Sequence, residues 1–194
     1  QLDATSVFYP KDKPIVCTDP PYYNNISYSD LTDFFYVWLR RMLQKNFPNI
    51  CSTLLCPKEQ ELIALPYRFD NDKLKADNFY EDGFKKVFTF FKNEANQEAP
   101  FTFFYAYKDE TGTRGWETML QSLVSSGLQI TGTWPMSTES TGSIRSKENV
   151  LSSSIVIVCR KRLKNSNLCT RREFISELRK EFQKTMAALR DGNI

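Results

Sequence analysis

The chain has 194 residues, 41% of them hydrophobic, with 26 Lys+Arg against 23 Asp+Glu and no His. Fifteen Phe, nine Tyr and three Trp exclude a disordered chain and supply a core for one domain or slightly more. The absence of His excludes Ser-His-Asp and Cys-His catalysis and His-rich zinc sites. No apolar run reaches the roughly 18–20 residues of a membrane span, and the N-terminal residues lack a signal-peptide layout. No membrane partner is therefore expected.

In chain order, Pro14-Ile15-Val16-Cys17-Thr18 predicts a short buried strand. Asp19-Pro20-Pro21-Tyr22 stops it, because two prolines remove donors and fix φ. Ser29 is the expected cap of a helix, with Asp33 near the capping-box position. Leu31, Phe34, Phe35, Trp38, Leu39 and Met42 repeat at i, i+3, i+4, i+7, which predicts a mostly buried helix with Trp38 in the core. Residues 46–77 hold Pro48, Pro57 and Pro66 and read as a loop-rich insertion. A helix is expected to resume near Asn78, carrying Tyr80, Phe84, Val87, Phe88 and Phe91. Phe101 to Tyr107 predicts a strand. A helix through Trp116, Met119, Leu120, Leu123 and Val124 follows, stopped by Gly127, and Trp116 is expected in the core. Leu128 to Trp134 and Ser154 to Cys159 are the last two strands. Thr170 and Glu173 then form a capping box before a final amphipathic helix. The alternation predicts an α/β protein with a mostly parallel sheet, and the closing strand pair predicts one antiparallel edge strand.

The five cysteines are Cys17, Cys51, Cys56, Cys159 and Cys169, an odd number with Cys17 and Cys159 inside apolar runs. That is the usage expected of a reduced cytoplasm. Cys51 and Cys56 lack a second ligand pair, so no metal site is expected. Arg160 to Arg190 holds ten basic and three acidic residues. Within it Arg160, Lys161 and Arg162 are candidates for tracking a nucleic-acid backbone, against the plainer reading of a solvated strand end.

The chemistry lies in Asp19-Pro20-Pro21-Tyr22. In an open parallel sheet, ligands bind beyond the carboxyl ends of the strands, where this turn falls. The amino nitrogen of adenine or cytosine is a poor nucleophile because its lone pair is delocalised into the ring. The Asp19 carboxylate and the Pro20 carbonyl each accept one of its N–H groups, which frees the lone pair to face an electrophilic methyl group. Pro20 and Pro21 stiffen the turn so that the two acceptors converge. Tyr22 offers a ring on which an extruded base stacks. A chance occurrence of the four residues is on the order of once per thousand chains of this length.

Asp-Pro-Pro-Tyr after a strand resembles the catalytic motif of amino-group DNA methyltransferases. The string Thr18 to Tyr23, followed by Tyr28 to Arg41, is similar to the large adenine-specific DNA methylases that carry a zinc ribbon elsewhere. Trp134-Pro135-Met136-Ser137-Thr138-Glu139 and Ser152 to Arg160 are also similar to that group. The resemblance implies S-adenosylmethionine as cofactor, DNA as partner and a flipped adenine as substrate. It makes Asp19, Pro20, Pro21 and Tyr22 catalytic, and Tyr23 and Asn24 neighbours of the same mouth. Trp134 is a candidate for the base pocket, with packing as the alternative. Glu139, Arg145 and Lys147 lie in a polar loop whose default reading is a solvated loop, with an approach to DNA as the alternative.

The resemblance also implies a sheet ordered 3-2-1-4-5-7-6, of which this chain supplies the equivalents of strands 4-5-7-6, with the last strand antiparallel, flanked by helices. That is a partial Rossmann-like methyltransferase sheet over 1–162, followed by a basic linker and helix over 163–194. The glycine-rich turn for the methionine end of the cofactor is missing: Gly112 and Gly115 follow the wrong strand. The chain is thus expected to be the catalytic-motif half of a longer enzyme, inactive alone. The open edge of its first strand is expected to be covered by residues 1–12, by a missing N-terminal half or by a second copy. The alternatives are methylation of cytosine N4, of RNA or of a protein amide, or a non-catalytic nucleic-acid-binding module that keeps the motif.

Overall fold

A computed structural model describes residues 4–5, 13–106, 113–137, 153–166 and 169–191. The elements are β1 (Cys17–Thr18), α1 (Tyr28–Leu43), a 3-10 turn (Pro66–Phe69), α2 (Lys73–Glu94), β2 (Phe101–Ala106), α3 (Thr113–Ser125), β3 (Leu128–Ser137), β4 (Ser153–Lys161) and α4 (Arg171–Asp191). They divide into two compact units, Gln1–Lys161 and Arg162–Ile194. The second unit holds α4, opened by the capping box: the Thr170 N–H donates to Glu173 Oε2 at 2.7 Å and the Glu173 N–H to Thr170 Oγ1 at 3.2 Å.

In the first unit the sheet order is β1-β2-β4-β3. β1 runs parallel to β2, with Cys17 opposite Thr102, and β4 is antiparallel to both β2 and β3. This is the partial Rossmann-like arrangement with strands in the 4-5-7-6 sense. It corrects the expectation of an antiparallel edge. β4 runs between β2 and β3, and β3 is the edge, because the α3 crossover carries the chain past the position that β4 later fills. Among the described residues β1 has no strand on its other side. Of residues 1–12, expected there, all but 4–5 lie outside the described residues.

Alternation along β2 buries Phe101, Phe103 and Tyr105. They meet Ile157 and Cys159 of β4, Met119 and Leu123 of α3, and the α2 stripe Tyr80, Phe84 and Phe88. The stripe repeats every four residues, so its rings line one face in tilted contact: centroids are 4.6 Å apart for Tyr80–Phe84, 5.5 Å for Phe84–Phe88 and 5.5 Å for Phe88–Phe103. Burial in this core pushes the Cys159 thiol up to about 12. Trp116 packs on Tyr105 at 5.4 Å, against the core as expected. Cys17, by contrast, is exposed on the open edge strand.

Two helix starts differ from expectation. The cap of α1 is Ser27, not Ser29, and Asp33 is not part of a capping box. Ser29 lies inside the helix and binds Glu61, through its N–H at 3.1 Å and its hydroxyl at 2.5 Å. Asp33 accepts the Cys56 N–H at 2.8 Å and Lys58 Nζ at 2.6 Å. These polar groups anchor the insertion to α1. Helix α2 begins at Lys73 because Asp72 caps it, accepting the Lys75 N–H at 3.1 Å. Just before, Asp70 and Asn71 take left-handed φ values of 55° and 62° to leave the 3-10 turn.

The largest correction concerns α1. Its periodic face is exposed rather than buried: Phe34 is 69% exposed, Trp38 59% and Met42 74%. Periodicity identifies an apolar face but not what covers it.

Candidate active site

The site starts where β1 ends. Thr18 is still paired with Phe103 of β2, and Asp19-Pro20-Pro21-Tyr22 leaves from the carboxyl end of the strand. The turn then closes locally, the Asn25 N–H donating to the Tyr22 carbonyl at 2.9 Å. Tyr23 adopts φ 44°, a left-handed conformation that costs a residue with a Cβ about 1–2 kcal/mol. It is held there on every side. Its N–H donates to the Tyr80 hydroxyl at 3.1 Å, its carbonyl accepts the Ala64 N–H at 2.9 Å, and its hydroxyl donates to Asp77. Its ring meets Tyr80 edge-on at 5.5 Å.

Asp19 is exposed and accepts a hydrogen bond from the Tyr22 hydroxyl. Burial, and then the bond and the charge of Asp19, hold the Tyr22 phenol well above its ordinary range, against a smaller opposing effect of the Ser154 hydroxyl. The Tyr22 ring meets Tyr105 at 5.4 Å and 71°, edge-on rather than stacked. Burial likewise raises the phenols of Tyr80 and Tyr105. Among the described residues the Pro20 carbonyl has no hydrogen-bond partner. The turn therefore presents two acceptors, a carboxylate and a carbonyl.

Asp19, Pro20 and Pro21 line a cavity of about 1,000 Å³. Tyr28, Ser29, Thr32 and Tyr36 of α1 and residues 56–57 and 60–62 of the insertion form its sides. Phe84, Phe88, Phe91, Phe103 and Met119 form an apolar wall. An apolar cavity with a few convergent polar groups is the usual character of a small-molecule site. Tyr22, Tyr23, Asn24 and Trp134 are not part of its lining.

The other predicted site residues fall elsewhere. Tyr23 is turned into the fold as an anchor, and Asn24 is exposed. Trp134 is on β3, three strands from β1, or about 14 Å at the usual strand spacing. Its ring folds back over Gly132, where a Cβ would come within 2.6 Å of it. Arg160 and Lys161 lie at the end of the sheet away from the turn. Ser154, which reaches Tyr22, is six residues before Arg160 on the same strand, about 20 Å at the rise of a β-strand. Arg160 also donates to the Glu98 carbonyl at 2.9 Å. Arg162 opens the second unit. Glu139, Arg145 and Lys147 lie outside the described residues.

Sequence reasoning missed Tyr80, Asp77, Ser154 and Gly115. A Cβ on Gly115 would come within 2.6 Å of Tyr23 Cβ and 3.2 Å of the Tyr105 hydroxyl. This glycine lets α3 approach the turn, and it is not a ligand cradle. The signal for Tyr80 was present: it is the one hydroxyl on a stripe whose following members, Phe84 and Phe88, are phenylalanine.

No protein-family model matches the chain, and no curated protein matches it. Among solved structures it is similar to a variant of LepI in complex with SAH and a substrate analogue, at a TM-score of 0.30 and 9% identity. The similarity covers 82% of this chain, which spans 46% of that one. A likeness at that score carries nothing to this chain. Among the described residues no helix is long and apolar enough to cross a membrane.

Proposed function

We propose that the chain is the catalytic-motif part of a methyltransferase acting on an amino group, with adenine N6 in DNA as the substrate. The observation that supports this best is the pair of acceptors, the Asp19 carboxylate and the Pro20 carbonyl, unpartnered among the described residues, on a proline-stiffened turn beside a large cavity at the carboxyl end of a strand. A planar amine has two N–H groups in fixed directions. Two acceptors on a rigid turn hold both and leave the nitrogen lone pair free to attack. The Tyr22 hydroxyl donates to Asp19 in the free protein, so an incoming amine replaces one donor with another at the same oxygen.

S-adenosylmethionine is the methyl donor this reading requires. The described glycines do not supply a cradle for it: Gly115 is filled by Tyr23, Gly132 by Trp134, Gly83 meets Leu62, and Gly127 ends α3. The remainder of its site is therefore assigned outside the residues described. The same lack keeps a second reading in view, a nucleic-acid-binding module that retains the turn.

The test is transfer of a labelled methyl group from S-adenosylmethionine to adenine-containing DNA, by this chain and by any longer protein that carries it. Asp19→Ala is expected to lower transfer by about 10²–10³, the usual effect of deleting one preorganised polar group. Retained transfer in Asp19→Ala contradicts the reading.

A further inference from the structure

We propose that Tyr80 is the positioning residue of the Asp19–Tyr22 turn, its single buried hydroxyl holding the peptide groups on both sides of Tyr22. The inference rests on reading that turn as the site that holds an amino group. Tyr80 is fully buried on α2, and nearly sixty residues separate it from the turn. Its hydroxyl donates to the Pro21 carbonyl at 3.3 Å and accepts the Tyr23 N–H at 3.1 Å. The first group belongs to the peptide that precedes Tyr22 and the second to the peptide that follows it. One oxygen atom thus fixes the direction in which the chain enters and leaves Tyr22.

The need for such an external clamp follows from the turn itself. Pro20 and Pro21 have no N–H, so this stretch lacks two of the donors with which a turn closes on itself. Tyr23 then enters the left-handed region, which surrounding contacts must enforce. Asp77, one helical turn before Tyr80 on the same face of α2, takes the Tyr23 hydroxyl and completes the grip. The Tyr105 hydroxyl lies 3.3 Å from that of Tyr80 and ties the clamp to β2. Packing alone does not ask for this oxygen, since Phe84 and Phe88 continue the same stripe without one. The relative placement of the Asp19 carboxylate and the Pro20 carbonyl depends on what fixes residues 21–23.

Tyr80→Phe in the full chain tests this by amide hydrogen exchange and by titration with an end-labelled single-stranded DNA containing adenine as the probe. The Tyr23 amide is expected to exchange about tenfold faster, the equivalent of one lost hydrogen bond, while the Thr102 amide, bonded to the Val16 carbonyl across β1 and β2, keeps its protection. Binding of the probe is expected to weaken by a similar factor. Equal acceleration at Tyr23 and Thr102 would show that Tyr80 only packs, and an unchanged Tyr23 amide would show that it holds nothing; either result overturns the proposal. A wild-type protein that does not bind the probe, with Tyr23 alone accelerated in the variant, sinks the amino-group reading and leaves the clamp in place. If Tyr80→Phe does not fold, the wild-type protein decides: a slowly exchanging Tyr80 hydroxyl proton with cross-relaxation to the Tyr23 amide supports the clamp, and its absence overturns it.

Discussion

Phe103→Ala is expected to remove about 3–5 kcal/mol of stability, a large part of the total for a domain of this size. Phe103 is 1% exposed at the centre of β2, its ring 5.5 Å from Phe88, and its strand pairs with both β1 and β4. Truncation leaves a cavity between the sheet and α2 that neighbouring rings cannot fill without leaving their own contacts. In urea the unfolding midpoint should fall by about 2 M, given typical denaturant slopes. Trp38→Ser on the exposed face of α1 should cost less than about 1 kcal/mol, most of it from the Arg41 guanidinium 5.8 Å from the ring. A loss at Trp38 as large as at Phe103 would show that the α1 face is covered.

Arg68→Met should cost about 3 kcal/mol, although methionine preserves most of the buried volume. Arg68 is 13% exposed and joins three segments. Its guanidinium meets Glu61 at 2.9 Å, donates to the Ser27 and Ser29 hydroxyls at 2.6 and 2.8 Å, and reaches the Lys58 carbonyl at 3.2 Å. Removing it leaves the Glu61 carboxylate, 12% exposed, without its cation and frees the insertion from the N-terminus of α1. Because the insertion forms one side of the cavity, probe binding should weaken together with stability. The same network sets an acid limit. The Ser27 hydroxyl, then that of Tyr67, holds the Asp30 carboxyl below the usual carboxylate range, and Lys58 does the same for Asp33. Carboxyls depressed in the folded state add stability above the unfolded range of about 4, which is lost as pH falls through their folded values.

The legible parts of the sequence were those where one local period decides the outcome. β2 alternates and is buried on alternate residues, and the α2 and α3 stripes face it as their spacing implies. The turn after β1 was legible because two adjacent prolines leave a strand little choice. What failed were statements about partners. The α1 stripe has the period of a buried helix, yet period is a property of the helix and burial a property of what packs on it. Adjacency of the last two strands in sequence suggests an antiparallel edge, whereas the α3 crossover leaves an inner position open for β4, the place that the order 4-5-7-6 implies. Trp134 and Arg160 stand beside suggestive neighbours in sequence but are separated from the turn by the width and the length of the sheet. Tyr80 acts on the turn through a contact almost sixty residues long in sequence: its place on a phenylalanine stripe marks the hydroxyl, but not the turn that the hydroxyl holds.

The central claim is that the Asp19–Tyr22 turn holds a nucleobase amino group, and the most direct measurement is the affinity for end-labelled single-stranded DNA carrying one adenine against the same strand carrying unsubstituted purine, which lacks the 6-amino group. Adenine is expected to bind at least about tenfold more tightly, the worth of one charge-assisted hydrogen bond, and Asp19→Ala to remove that preference. Wild-type protein that binds the two strands equally, or Asp19→Ala that keeps the preference, would contradict the claim.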